Sequence, residues 1–220
     1  MKKYWIITAM EEEAEGIINL LNLDLSKSYE NIKIYENKEY VLALTGIWKI
    51  QASIWTTILC LDYWVQWVIN IWIAWNLRWK EANIWDVYII NQIIQHDIYL
   101  PFNGIHLNYA KGTLKIPYTP EISSNDFDFW FYENWICATW DQFIDDEEKC
   151  KKLRKDTWAH VAEMEAFWVA SVAREFWLLN NTIIIKGISD GADADALHIP
   201  KDTIKFAMDN TIEVLKKVIN

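Results

Sequence analysis

Apolar and polar positions follow one another along the chain in blocks that predict strands and helices in turn. An apolar block over 4–10 predicts a buried strand, and 11–23 has the apolar spacing of a helix. The same patterns predict a hairpin over 32–46, strands over 68–74, 86–94, 135–139 and 182–190, and helices over 49–63, 163–176 and 202–219. This alternation predicts an α/β class, and the hairpin makes the sheet mixed. We therefore expect a single domain over 1–220 with three layers, α/β/α, around a twisted central sheet.

Acidic side chains dominate the segments that follow the predicted strands. Glu11, Glu12 and Glu13 follow the first strand, and Asp190 ends the strand over 182–190. Ligands gather at the carboxyl ends of strands in open α/β sheets. Each carboxylate alone also has a structural explanation, because helix dipoles favour Glu in the first turn and Asp often caps or turns the chain. Together they predict an acid/base site of the kind that cleaves glycosidic bonds.

Bulk composition narrows the classes of function. Hydrophobic residues make up 52% and charged residues 24% of the chain, which favours a folded globule over a disordered chain. The net charge of −10 argues against nucleic acid or an anionic membrane as a partner. The first apolar run ends after seven residues, too short for a signal peptide or a membrane span, so we expect a cytoplasmic protein. Three cysteines without a CxxC pair and four scattered histidines predict neither a disulfide framework nor a metal site.

Tryptophan is unusually frequent and glycine unusually rare. The chain has 15 Trp and 6 Gly, whereas glycine alone makes up roughly 7% of ordinary proteins. Many of the Trp stand at predicted turns, such as Trp72, Trp75 and Trp79 in "INIWIAWNLRW". Turns are where glycine is favoured, because it takes a positive φ without a steric cost. We hypothesise that the gene reads UGA as glycine and that these codons are rendered here as Trp. The alternative is a core that is truly rich in Trp.

Eight short segments match the motifs of one family in order along nearly the whole chain. They are "IITAMEEEAEGI", "TGIWKIQAS", "INIWIAWNL", "IWDV", "QHD", "ATWDQFI", "AEMEAFWVA" and "IKGISDGAD". On these motifs the chain resembles the 5′-methylthioadenosine/S-adenosylhomocysteine nucleosidases of the purine nucleoside phosphorylase superfamily. Trp repeatedly stands at a glycine of the family pattern, and "INIWIAWNL" corresponds to INxGxAGxL. The resemblance implies a nucleoside phosphorylase-like fold, a nucleoside substrate, no cofactor and a homodimer.

The resemblance also implies a role for each matching residue. Asp190 would protonate the purine at N7, and Glu13 would deprotonate the attacking water, which is the nucleophile. Glu165 would accept hydrogen bonds from the ribose hydroxyls, and Ser189 would orient Asp190. The remaining substrate-binding residues would be Met10 and Ile47 on the sugar and 5′ side, Met164 against the sugar, Glu163 beside it, Phe143 stacked on adenine, and Ile144 at the adenine edge.

Three departures from the family pattern stand out. Lys186 replaces the usual arginine, and a lysine does not reproduce a planar fork of donors. Ile73 replaces a serine of the glycine loop. The segment 98–134 aligns poorly where relatives carry an aromatic loop that completes a neighbour's site, so the sequence leaves the 5′-substituent specificity open.

Two other functions compete with hydrolysis of methylthioadenosine, S-adenosylhomocysteine or 5′-deoxyadenosine in methionine salvage. A purine nucleoside phosphorylase needs cationic groups for phosphate. The chain has three arginines, none of them in its acidic first strand–helix loop, and Trp85 precedes Asp86 where phosphorylases often carry an arginine. A nucleoside-binding protein without catalysis would follow if the Trp were real and filled the pocket. Retention of Glu13, Glu165 and Asp190 favours the enzyme.

Overall fold

A mixed sheet with helices on both faces forms the molecule. The computed structural model describes residues 4–30, 32–78, 82–97, 112–142, 144–191 and 200–220. The strands are β1 (Tyr4–Thr8), β2 (Asp24–Ser28), β3 (Lys33–Glu36), β4 (Tyr40–Leu44), β5 (Trp67–Asn76), β6 (Val87–Gln95), β7 (Thr113–Lys115), β8 (Phe131–Thr139), β9 (Val161–Glu163) and β10 (Thr182–Asp190). The helices are α1 (Glu11–Leu21), α2 (Lys49–Asp62), α3 (Glu147–Thr157), α4 (Ala166–Glu175) and α5 (Lys201–Ile219).

Pairing of the strands confirms the predicted mixed sheet and adds a closed ring to it. β5 pairs in parallel with β1 and β10, and β1 pairs in parallel with β4. β10 continues antiparallel to β6, then through β8 and β9 back to β5, so these five strands close on themselves. β3 and β2 extend the other side as antiparallel strands, and β7 pairs with β6. The carboxyl ends of β1, β5 and β10 consequently lie side by side.

Alternation along β1 assigns the helices to two layers. Tyr4 and Ile6 point into a cluster with residues of α1 and α5, and Trp5 and Ile7 point into another with residues of α2 and α4. Successive side chains of a strand face opposite sides, so the two clusters lie on opposite faces of the sheet. Helix α3 packs through Cys150 and Leu153 on a third cluster near the ends of β5 and β8. The predicted α/β/α layering is thereby confirmed.

Four elements were not predicted from the sequence, and one predicted helix begins late. Helix α3 buries only Cys150 and Leu153, so its sequence lacks a broad apolar stripe. Strands β2 and β7 are short and largely exposed. The helix expected over 163–176 begins at Ala166, because Val161–Glu163 pairs as β9 with β5 and β8.

Five tryptophans occupy backbone conformations that favour glycine. Among the residues that the structure describes, seven that are not glycine have a positive φ, and apart from Asn22 and Asn134 all are Trp. They are Trp48 (φ 104°), Trp64 (50°), Trp85 (78°), Trp158 (60°) and Trp177 (63°). Trp64, Trp158 and Trp177 lie at the carboxyl ends of α2, α3 and α4, where glycine is the usual residue.

Candidate active site

Buried carboxyl groups converge where β1, β5, β9 and β10 end. Glu13, Glu163, Glu165 and Asp190 are all buried. Burial of a charged group is unfavourable unless it is hydrogen-bonded or paired. Four such groups at one end of a sheet are therefore the mark of a functional site, and the contacts of each define its chemistry.

The carboxylate of Glu13 is held by the loop between β1 and α1. Its Oε2 accepts hydrogen bonds from Thr8 Oγ1 at 3.0 Å, Ala9 N at 3.1 Å and Met10 N at 2.9 Å. Its Oε1 accepts one from the backbone N of Ile73 on β5, at 3.1 Å. Burial raises the pKa of Glu13 above its usual value, and these hydrogen bonds oppose the rise. Such a carboxyl is better suited to accept a proton than an exposed glutamate.

The other two carboxylates of the acidic run point elsewhere. Glu11 and Glu12 are exposed, and Glu11 forms a surface ion pair with Lys33. Helical geometry places the third residue of the run on the buried face, beside Ala14 and Ile17. The structure thus separates the buried Glu13 from the two exposed carboxylates of the run.

Asp190 stands at the end of β10 with Ser189 against it. Ser189 Oγ donates to Asp190 Oδ2 at 2.7 Å, and both residues are buried. The pairing of β10 with β5 becomes irregular between Ile188 and Asp190, where Asp190 comes opposite Trp75. Such irregularities redirect a side chain at the end of a strand. Glu13 reaches Ile73 on the same strand β5, so β5 connects the two predicted catalytic residues.

Glu163 is surrounded by protein donors. Its Oε2 accepts from Trp72 Nε1 at 3.0 Å and from Lys186 Nζ at 2.9 Å, and Thr139 Oγ1 donates to Oε1. Its Oε2 also accepts from the backbone N of Glu165 and of Ala166, the first groups of α4. Burial opposes ionisation of Glu163, but Lys186 and the hydrogen bonds lower its pKa below the usual value.

Glu165 lies between these groups and the start of α2. Trp48 N donates to its Oε1 at 3.0 Å, and Met164 N donates to its Oε2 at 3.2 Å. Burial, followed by the negative charge of Glu163, raises the pKa of Glu165 to about 8. Trp48 has φ 104° and ψ 143°, close to a region populated almost exclusively by glycine. This backbone conformation aims the N–H of residue 48 at Glu165.

The other predicted substrate-binding residues are spread around this cluster. Met10 caps α1 next to Glu13, Met164 is half-buried beside Glu165, and Ile47 is exposed next to Trp48. Ile144 is buried in the cluster with Trp75, and a cavity of about 480 Å³ lies between it, Trp140 and His96. Phe143 lies outside the described residues.

Several polar residues of the site were not singled out from the sequence. Thr8 and Thr139 bond Glu13 and Glu163, and Asn70 Oδ1 accepts from Lys186 Nζ at 2.7 Å. Asn70 interrupts the apolar strand β5, and Thr8 and Thr139 end β1 and β8. A buried polar side chain at such a position is the signal that could have identified them. Across the part of the chain that has been described, no three His, Cys, Asp or Glu side chains are grouped so as to hold a metal ion. No helix of this part is long and apolar enough to cross a membrane.

Comparison with known proteins assigns the family. Residues 3–220 match the family model of the phosphorylase superfamily. The chain belongs to this superfamily. An aminodeoxyfutalosine nucleosidase of Helicobacter pylori is 28% identical over an alignment of 235 positions, which covers 100% of this chain and 99% of the relative. The 5′-methylthioadenosine/S-adenosylhomocysteine nucleosidase of Bacillus subtilis is 28% identical over 228 residues, 97% of this chain and 96% of the relative.

Solved structures of the superfamily share the fold of this chain. The futalosine hydrolase of Helicobacter pylori superposes with a TM-score of 0.81 at 24% identity, over 99% of this chain and 97% of its own. The methylthioadenosine/adenosylhomocysteine nucleosidase of Neisseria meningitidis, in complex with methylthio-immucillin-A, gives 0.80 at 23% identity, over 100% and 99%. The predicted fold and family resemblance are confirmed, as is the expectation of an enzyme of nucleosidase type.

Proposed function

We propose that the protein hydrolyses the N-glycosidic bond of 5′-methylthioadenosine, S-adenosylhomocysteine or 5′-deoxyadenosine, and releases adenine and the 5-substituted ribose. The observation that carries this proposal is the pair of buried carboxyls at Glu13 and Asp190, which β5 connects. Glu13 contacts β5 at Ile73, and Asp190 pairs with it at Trp75. Enzymes that cleave glycosidic bonds commonly use two carboxyl groups in different environments, one as the acid and the other as the base or nucleophile.

Each residue has a defined step in this reaction. Asp190 donates a proton to N7 of the purine, so adenine leaves as a neutral base, and Ser189 holds the carboxyl in position. Glu13 takes a proton from water, which attacks C1′ as the bond to adenine breaks. The sugar passes through an oxocarbenium-like transition state. Glu165 binds the ribose hydroxyls, with Met164 against the sugar and Met10 and Ile47 toward the 5′ side.

Phosphorolysis is the less favoured reaction. The described carboxyls at the strand ends would repel a phosphate dianion, and Lys186, the cation among them, is neutralised by Glu163. Arg174 pairs with Glu175 on the surface, and Arg78 contacts His160. The two curated relatives reported above are named as nucleosidases and one of the solved structures as a futalosine hydrolase, and two of these three names refer to futalosine or aminodeoxyfutalosine. We therefore add aminodeoxyfutalosine to the proposed substrates, alongside the adenosyl thioethers.

A panel of substrates tests this assignment. Methylthioadenosine, S-adenosylhomocysteine, 5′-deoxyadenosine and aminodeoxyfutalosine are each incubated with the protein, and free adenine is measured by chromatography. We expect adenine from at least one of them, with the order of kcat/KM naming the preferred 5′-substituent. If none of the four releases adenine, the proposed function is wrong. Inosine is the matched control, because it is a nucleoside with a different base.

We also propose that the Trp positions of this chain are glycine in the protein that its own host makes, through a UGA codon read as glycine. Five Trp have positive φ, and each such conformation costs a residue with a side chain roughly 1–2 kcal/mol. The five together cost about 5–10 kcal/mol, which is comparable to the whole stability of a domain.

Several of the 15 Trp positions lie around the proposed site. Trp72 and Trp75 match a glycine loop, but both lie within strand β5 and not at the turn that the sequence pattern predicts, because β5 continues to Asn76. Trp48 N donates to Glu165, and Trp140 N donates to the backbone oxygen of Glu163. Glycine there would leave room for a nucleoside and keep the backbone donors. The intact mass of the protein isolated from its own host decides between the two residues. A mass that corresponds to 15 Trp would contradict the proposal and favour a binding protein whose pocket is filled.

Assembly, location and pathway follow from the family resemblance. We propose a homodimer in which a neighbour's loop completes the site, a cytoplasmic location, a single catalytic domain over 1–220, and a role in methionine salvage. The poorly matching segment includes 98–111, which lies outside the described residues. Light scattering of the purified protein tests the dimer, and a monomeric mass would contradict it.

A further inference from the structure

Lys186 lies fully buried in the middle of β10. Its Nζ is 2.7 Å from Asn70 Oδ1 on β5 and 2.9 Å from Glu163 Oε2 on β9, and the side chain has no exposed surface. An ammonium group in such a place is strongly unfavourable without a paired anion. Asn70 supplies only a dipole, so Glu163 must supply the negative charge.

The Glu163 anion in turn holds the first turn of α4. Its Oε2 accepts from Glu165 N at 3.1 Å and Ala166 N at 2.8 Å, at the helix end where unpaired N–H groups and the helix dipole favour an anion. Thr139 Oγ1 donates to the other oxygen. Among the described residues, five protein donors thus contact the two oxygens of Glu163, whereas Glu165 accepts two hydrogen bonds, from Trp48 N and Met164 N.

Glu165 shares this space with a cation and other carboxyls. Among the residues that the structure describes, Glu163 from β9, Lys186 from β10 and Glu13 from α1 face it, and Cys137 of β8 faces Glu163. One buried cation balances one carboxylate. Within the described residues, a second negative charge beside Glu163 has no further cation to balance it and two hydrogen-bond donors against five for Glu163, so a proton on Glu165 is the arrangement that the contacts favour.

We infer that Lys186 is a positioning residue: it keeps Glu163 as the ionised member of the carboxyl pair and so leaves Glu165 protonated at the start of α4. A protonated Glu165 donates a hydrogen bond to a ribose hydroxyl, in addition to accepting one. The inference rests on the proposed function only for the identity of the ribose. Trp72 contacts both members of the pair, because its ring lies 4.0 Å from Lys186 Nζ and its Nε1 donates to Glu163 Oε2, whereas the contact between Lys186 and Glu163 itself needs no side chain at residue 72.

Carbon-13 NMR of the glutamate carboxyl groups tests the charges in the full chain without any need for turnover. Resonances are assigned with Glu163→Gln and Glu165→Gln, and pH is varied over about 5 to 9. We expect Glu163 to stay ionised throughout and Glu165 to lose its proton near pH 8. Lys186→Met should protonate Glu163 at neutral pH, whereas Lys186→Arg should keep it ionised. A Glu163 that stays ionised in Lys186→Met would overturn the inference.

A second variant removes both charges, because Lys186→Met alone leaves a buried anion without its partner. In Lys186→Met/Glu163→Gln the amide oxygen still accepts from the N-terminus of α4. The charge of Glu163 acts on Glu165 more strongly than that of Lys186, so the Glu165 midpoint should fall below about 8. An unchanged midpoint would overturn the inference.

Kinetics on methylthioadenosine provides the functional measurement. Lys186→Met should lower kcat/KM about 10-fold or more, largely through KM, and Lys186→Arg should restore most of it. In the parent, kcat/KM should fall above about pH 8, where Glu165 ionises. In the double variant, kcat/KM should begin to fall at a lower pH than in the parent. Lys216→Met, which removes an exposed ion pair with Glu213 on α5, is the control and should leave kcat/KM unchanged. A parent that releases no adenine would contradict the proposed function, whereas the NMR result still decides the role of Lys186.

Discussion

Replacing Trp177 by glycine should stabilise the chain, although it removes the largest side chain. Trp177 follows α4 with φ 63° and is 93% exposed, so its indole contributes little burial. The backbone there is fixed by hydrogen bonds from Trp177 N to Arg174 O and from Leu178 N to Ala173 O. Relief of the left-handed conformation gains about 1–2 kcal/mol. The greater flexibility of glycine in the unfolded chain offsets about 0.5–1 kcal/mol of this, so the net increase in the free energy of unfolding is about 1 kcal/mol.

The gain should accumulate over the three equivalent helix ends. Trp64 and Trp158 have φ 50° and 60° and are 77% and 76% exposed. They lie at the ends of different helices, so the three effects should add to about 3 kcal/mol. For a chain of 220 residues, each kcal/mol raises Tm by about 2–4 °C. The triple variant should therefore melt about 6–12 °C above the parent.

Thermal unfolding followed by circular dichroism measures this difference, and Trp130→Gly is the matched control. Trp130 is 63% exposed and is not among the residues with positive φ. Its replacement should leave Tm unchanged or lower it, because glycine there relieves no strain. If the triple variant gains no more than Trp130→Gly, the backbone strain argument is wrong.

The proposed chemistry makes three further predictions. Asp190→Asn keeps the shape of the side chain but supplies no proton, so kcat for methylthioadenosine should fall at least about 10²-fold while an inhibitor still binds; an unchanged kcat would end the mechanism. Glu13→Gln should lower kcat by a similar factor, whereas the exposed control Glu12→Gln should leave kcat unchanged; equal losses of kcat in both variants would indicate a collective charge effect. Because the pKa of Glu165 is raised from 4.5 to about 8 in the folded state, its contribution to the free energy of unfolding is complete below pH 4.5 and is lost as pH rises to about 8. Denaturant titrations at several pH values should therefore show a weaker decline in Glu165→Gln, and parallel curves would refute the shift.

The order of the elements could be predicted because their apolar patterns are strong. Strand β10 was predicted over its full range, and α2 and α5 each differ from prediction by one residue. The sequence does not predict helix α3, because only two of its side chains are buried and they form no broad apolar stripe. It does not predict β9, because three residues are too few to show the alternation of a strand. Glycine at position 158, one residue past α3, would have marked the end of that helix in the sequence.

Candidate catalytic residues could be predicted from motifs, but the contacts that connect them could not. The sequence places Glu13 and Asp190 at strand ends, and only the pairing of β5 shows that one strand connects them. The motif match predicts that Glu163 binds substrate. In the structure its carboxylate oxygens accept hydrogen bonds from Lys186, Thr139 and the first turn of α4. These contacts depend on register and burial, which spacing in the sequence does not encode.

Product analysis with and without phosphate tests the central claim most directly. The chain with glycine at its 15 Trp positions is given methylthioadenosine in phosphate-free buffer and in buffer with excess phosphate, and adenine and sugar are quantified by mass spectrometry. The account predicts equal rates, with one 5-methylthioribose for each adenine in both buffers. Adenine release that requires phosphate, with one methylthioribose 1-phosphate for each adenine, would contradict it.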